Sequence, residues 1–100
     1  MPSDIPASAS PGYADAEGLD PALETYLNGP RMVLDWSTDM GGSVRFRVLS
    51  HDGRFIATRL GRRSVQGWIA SVRVAGWPRG VYLIEAETGS TRSTSKFFLP

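Results

Sequence analysis

From Arg31 onward the apolar residues of this 100-residue chain recur at every second position, and that period limits what it can fold into. The stretch Ser43 to Ser50 shows it best, with Val44, Phe46 and Val48 on one face and Arg45 and Arg47 on the other. Met32, Leu34 and Trp36 alternate before it. Phe55 to Leu60 follows it, with Ile56 and Leu60 as expected core residues. Trp68, Ala70, Val72 and Val74 form a further run. Tyr82, Ile84 and Ala86 form another, with Glu85 and Glu87 outward, and a Thr/Ser-rich stretch ends in Phe97-Phe98-Leu99. Side chains alternate across a strand, so each run has one face to bury and one to leave in water. Turn clusters separate the runs at His51-Asp52-Gly53-Arg54, Gly61-Arg62-Arg63-Ser64, Gly76 to Gly80 and Thr88-Gly89-Ser90. About six to seven strands without intervening helices predict an all-β, antiparallel sandwich or small barrel over residues 31–100.

Charge divides the chain at the same boundary. Residues 1–30 carry Asp4, Asp15, Glu17, Asp20 and Glu24 and no Lys or Arg, while all eleven bases follow. The net charge of +1 is therefore an acidic segment of −5 beside a basic one of +6. Every Val, Phe and Trp also lies after residue 30, so the first segment has little with which to build a core. Residues 1–18, with Pro2, Pro6, Pro11 and Gly12, read as a mobile, linker-like leader. A short helix is expected near residues 21–27. Asp20 suits the N-cap, Pro21 the first turn, and Leu23 and Leu27 lie one turn apart. Asn28-Gly29-Pro30 would stop it.

Few residues offer chemistry. His51 is the one histidine, and beside Asp52 at a turn tip it reads as a solvated residue. There is no cysteine, no histidine pair and no calcium-loop pattern, so neither a metal nor a cofactor is expected. Asp35 and Asp39 read as turn formers, and Gly41-Gly42 and Gly76 to Gly80 lack the context of a phosphate loop. No apolar run approaches the ~20 residues of a membrane span. Ten of the eleven bases are Arg, a type suited to bidentate contact with phosphate or carboxylate. Arg45 and Arg47 share a strand face and, with Arg73, are the candidate anion-binding residues. Arg54, Arg59, Arg62 and Arg63 could border the same sheet. The alternative expectation for this arrangement is an ordinary solvated face with Arg guarding the sheet edge.

The order of features has a known counterpart. Val44-Arg45-Phe46-Arg47-Val48-Leu49 leads into Asp52-Gly53-Arg54, and Trp77-Pro78-Arg79-Gly80-Val81-Tyr82 opens a later strand. Lys96 then precedes Phe97-Phe98-Leu99 at the end of the chain. Over about residues 31–99 this resembles the C-terminal sorting domain of type IX secretion cargo proteins, and the related immunoglobulin-like domain of flagellar hook-capping proteins. Trp77 stands where that family usually has Leu, and Lys96 is a single base where two are frequent. The resemblance implies an immunoglobulin-like sandwich and marks Asp52, Gly53, Arg54, Pro78, Gly80, Tyr82 and Lys96 as fold or recognition positions. Tyr82 is expected to bury its ring and to reach a backbone group with its hydroxyl, as in a tyrosine corner.

The resulting expectation is a non-catalytic sorting or attachment module, docking on secretion machinery or another protein by an edge strand. It would need no cofactor and insert in no membrane. Because no signal peptide opens the sequence, such a module is expected to be the C-terminal piece of a longer secreted or cell-surface cargo, with residues 1–18 as linker. A chain complete as given would be cytoplasmic. The alternative function is a basic β-domain that binds a polyanion such as nucleic acid.

Overall fold

In the computed structural model, the described residues are 19–39, 42–89 and 91–100, and they form eight strands and no helix. The strands are β1 (Leu23–Asn28), β2 (Arg31–Ser37), β3 (Arg45–Ser50), β4 (Phe55–Leu60), β5 (Arg62–Arg63), β6 (Gly67–Arg73), β7 (Gly80–Thr88) and β8 (Thr91–Leu99). One antiparallel sheet has the order β1-β2-β6-β5 and the other β4-β3-β7-β8. The chain crosses between sheets after β2, β4 and β6, which is the strand order of an immunoglobulin-like sandwich with β4 as an added edge strand. No helix among the described residues is long and apolar enough to cross a membrane.

The alternating faces meet as their period requires. Leu23, Trp36 and Trp68 lie in one row across the first sheet, followed by Leu34 beside Ala70 and Met32 beside Val72. Phe46 beside Ala86, and Val48 beside Ile84, face them from the second sheet. Each fully buried Leu, Ile, Val or Phe side chain contributes about 1.5–3 kcal/mol by leaving water. Two backbones also approach closely. A side chain at Gly67 would stand 2.1 Å from the Trp36 carbonyl oxygen, so only glycine lets β6 lie against the end of β2.

The helix expected at residues 21–27 is instead β1, so the sheet begins before residue 31. Asp20 and Pro21 do start an element, but by a turn. The Asp20 carboxylate accepts from the Ala22 N–H at 2.9 Å, and its carbonyl accepts from the Leu23 N–H at 3.0 Å. An aspartate that caps a helix makes the same local bonds, so the sequence signal serves both ends. Pairing with the exposed edge of β2 then decides for strand, placing Leu23 beside Trp36 in the core. Asn28-Gly29-Pro30 is the hairpin turn to β2, with Gly29 at φ +64°. Residues 62–63, expected within a turn, form the two-residue strand β5.

Two expected core residues are also outside. Leu60 is 72% exposed and Ile56 lies at the surface, because β4 is an edge strand with a bulge opposite Val48 and Leu49. The bulge shifts the pairing by one residue, and Ala57 packs on the core in their place. The leader expected at residues 1–18 lies outside the described residues.

Candidate functional site

Two turns that are distant in sequence meet at one end of the second sheet. The first is the β3–β4 hairpin. Ser50 donates its backbone N–H to the Arg54 carbonyl at 2.8 Å, and Gly53 donates its own to the Ser50 carbonyl at 2.9 Å. Gly53 takes φ +87°, a conformation that a side chain would strain. The Ser50 hydroxyl donates to the Asp52 carboxylate, and this bond holds the Asp52 carboxyl below its usual range. The Ser50 oxygen in turn accepts from the Arg54 N–H at 3.1 Å.

The second turn joins β6 to β7. The Trp77 N–H donates to the Val74 carbonyl at 2.9 Å, and Gly80, at φ +141°, starts the strand. Tyr82 points inward from β7 and donates its hydroxyl to the Pro78 carbonyl. Its ring lies 5.5 Å from that of Trp77, at an interplanar angle of 41°. Trp77 packs half-buried against the core.

Register brings the two turns together. Ser50 lies opposite Tyr82 across β3 and β7, and Tyr82 lies opposite Phe97 on β8. Between the turns is an open cleft of about 290 Å³, lined by Ser50, His51, Ile56, Arg79, Gly80 and Tyr82 among others. The end of β8 borders the same region, with Leu99 opposite Gly80 and Phe98 opposite Val81. Asp52, Gly53, Arg54, Pro78, Gly80 and Tyr82 therefore gather at one end of one sheet. Lys96 lies a row further in, beside Leu83.

The basic candidates do not gather. Arg45 and Arg47 stand on the outer face of the second sheet, opposite Glu87 and Glu85. The Arg47 guanidinium is 3.2 Å from the Glu87 carboxylate, which also holds Arg92 at 3.2 Å. Hydrogen bonds from Arg47 and then Arg92 hold the Glu87 carboxyl below its usual range. Arg47 Nε is 3.9 Å from Glu85, close enough for charge attraction but too long for a hydrogen bond. Arg73 is on β6, paired with Arg31 on the other sheet, and Arg62 and Arg63 are on that sheet too. Arg63 lies 4.9 Å over the ring of Trp68. Of Arg54, Arg59, Arg62 and Arg63, only Arg54 and Arg59 border the sheet that carries Arg45 and Arg47.

An apolar strip on that outer face was not singled out by the alternation. Phe55, Leu49 and Leu83 form a row from β4 across β3 to β7, and Val81 and Phe98 extend it toward β8. Leu83 is almost fully buried although it lies on the face away from the core. Its signal in the sequence is the unbroken apolar run Val81-Tyr82-Leu83-Ile84, where a solvated strand would alternate. No cluster of three His, Cys, Asp or Glu among the described residues could hold a metal ion. No family model matches this chain, and no curated protein matches it.

Proposed function

We propose that this sandwich is a non-catalytic sorting or attachment module of a bacterial secreted or cell-surface protein, recognised by secretion machinery through its last strand. The observation that supports this reading most is the convergence at one end of the second sheet. There the Asp52-Gly53-Arg54 hairpin, the Pro78 to Tyr82 corner and the end of β8 lie side by side. β8 is the outer strand of its sheet, and Phe98 turns an exposed ring outward beside Val81. A receptor could read the end of the β8 edge beyond the Asp20 contact at Thr94 for affinity, and the Leu49, Leu83 and Phe98 strip for specificity. Polyanion binding through Arg45, Arg47 and Arg73 draws less support, because they lie on two sheets and Arg47 is neutralised by Glu85 and Glu87.

The test is export of a passenger fused ahead of this chain in a type IX secreting host. Deleting Lys96 to Pro100 should abolish export, but it also removes Leu99 from the core. The surface double variant Lys96→Glu/Phe98→Ser keeps the core side chains and is the sharper probe. Lost export from a protein that still unfolds cooperatively supports the reading. Export equal to that of the unaltered fusion overturns it.

A further inference from the structure

The two flanks of the sandwich are finished differently. On one, β1 packs against β8, and the Asp20 N–H donates to the Thr94 carbonyl at 2.8 Å, joining one sheet to the other. The opposite flank ends in β4 and the two-residue β5. Its surface is unlike the rest of the protein. Of the seven exposed large hydrophobic residues described, Phe55, Ile56, Leu60 and Val65 fall within residues 54–65. Arg54, Arg59 and Arg62 are exposed among them, and none takes part in an ion pair among the described residues. No acidic residue occurs from Gly53 to Ile84.

The backbone of β4 is set to pair further. Gly61 donates its N–H to the Val44 carbonyl at 2.8 Å, so Gly61 directs its polar groups at β3. Alternation then turns Arg59 toward β3, and the N–H and C=O of Thr58 and Leu60 off the edge. The Thr58 carbonyl is met there by the Arg59 guanidinium at 2.7 Å, which belongs to the next residue. The faces also differ. Phe55, Thr58 and Leu60 lie on the outer side, opposite Leu49, Arg47 and Arg45, whereas Arg59 lies on the core side opposite Phe46.

We infer that β4 is an acceptor edge for an extended segment of alternating apolar and acidic residues, which joins the second sheet as a fifth strand. Its apolar side chains would lie beside Phe55 and Leu60 and its carboxylates beside Arg59, with Arg62 adding positive charge to the flank from β5 of the other sheet. The carboxylates would draw the Arg59 guanidinium off the Thr58 carbonyl and leave that carbonyl to the incoming backbone. A second copy of this chain is disfavoured as the occupant, because it would bring its own Arg54, Arg59 and Arg62 to a seam already positive. This site is on the flank away from β8 and is independent of attachment through that strand.

The probes are two capped octapeptides, one alternating Glu and Val and the other alternating Lys and Val, titrated into the full chain with amide exchange followed by NMR. The expected result is binding of the Glu peptide alone, with slowed exchange at Thr58 and Leu60. Thr58→Pro removes an outward N–H at a position where an edge strand tolerates proline, and should weaken binding about tenfold. Should that variant not fold, Arg59→Glu/Arg62→Glu serves instead, and should transfer the preference to the Lys peptide. Equal binding of both peptides, no binding, or protection confined to β8 would overturn the inference. So would equal competition by a single-stranded oligonucleotide, which would mark a general polyanion surface.

Discussion

Tyr82 donates its hydroxyl to the backbone carbonyl of Pro78, four residues upstream, across the turn by which the chain passes from one sheet to the other. The bond fixes the β6–β7 crossing against the start of the strand it feeds. It also sets where Arg79 and Gly80 present themselves beside the β3–β4 hairpin.

Tyr82→Phe keeps the ring and removes this bond. It should lower the unfolding free energy by about 1 kcal/mol, read from urea titration. Tyr82→Ala also empties the ring's place beside Trp77 and should cost about 3–5 kcal/mol. Equal losses in the two variants would mean that the hydroxyl, not the ring, supplies the effect.

Two glycines should respond to alanine for opposite reasons. Gly67→Ala places a methyl group against the Trp36 carbonyl and should cost about 3 kcal/mol or more, from overpacking. Gly53→Ala meets nothing within 4 Å but must hold φ +87°, and should cost about 1–2 kcal/mol. Thermal midpoints of the two variants rank them directly.

Asp20 gives the fold a dependence on acid. Its carboxyl is held below the usual range by a side-chain hydrogen bond with Ser93, then by bonds from the Ala22 N–H and the Trp36 indole. A depressed carboxyl stabilises the fold above its unfolded value and loses that contribution as pH falls through the folded one. Asp20→Asn should therefore be less stable than the unaltered chain at pH 7, by about 1 kcal/mol given its partial exposure. The gap should close below about pH 4. Asp52 and Glu87 are shared by both proteins and largely cancel in the difference. Urea midpoints at several pH values measure it, and a gap that widens in acid would contradict the assignment.

Arg47 is the cation beside a carboxylate that has almost left water, since Glu85 is only 5% exposed. Arg47→Ala should cost about 1–3 kcal/mol, less than a fully buried pair because the Arg47 side chain is 31% exposed. Arg47→Met/Glu85→Leu removes both charges and should recover most of the loss. A double-mutant cycle by urea unfolding checks this.

The sequence made legible what depends on local alternation. Val44, Phe46 and Val48, the run from Trp68 to Val74, and Tyr82, Ile84 and Ala86 all face the core as their period requires. It was misleading where a local signal has two uses. Asp20-Pro21 and Leu23/Leu27 fit a helix start, and only the edge offered by β2 makes Leu23–Asn28 a strand. Ile56 and Leu60 appeared apolar enough for the core, but a bulge and an edge position are set by partners elsewhere in the chain. For the candidate site, the hairpin and corner residues could be named from sequence, though not their meeting at one end. The pairing of Arg47 with Glu85 and Glu87 joins residues about forty positions apart, and no local pattern discloses it.

Asp20 and Thr94, whose bond closes one flank, lie 74 positions apart in a chain of 100. That closure is among the most non-local contacts in the molecule, so its loop entropy must be met late in folding. A chain that emerges from the ribosome N-terminus first can pair β1 with β2, but leaves that flank open until β8 has been made. If attachment is through β8, the strand that completes the sandwich is also the one presented for recognition, and a half-synthesised chain carries no readable signal.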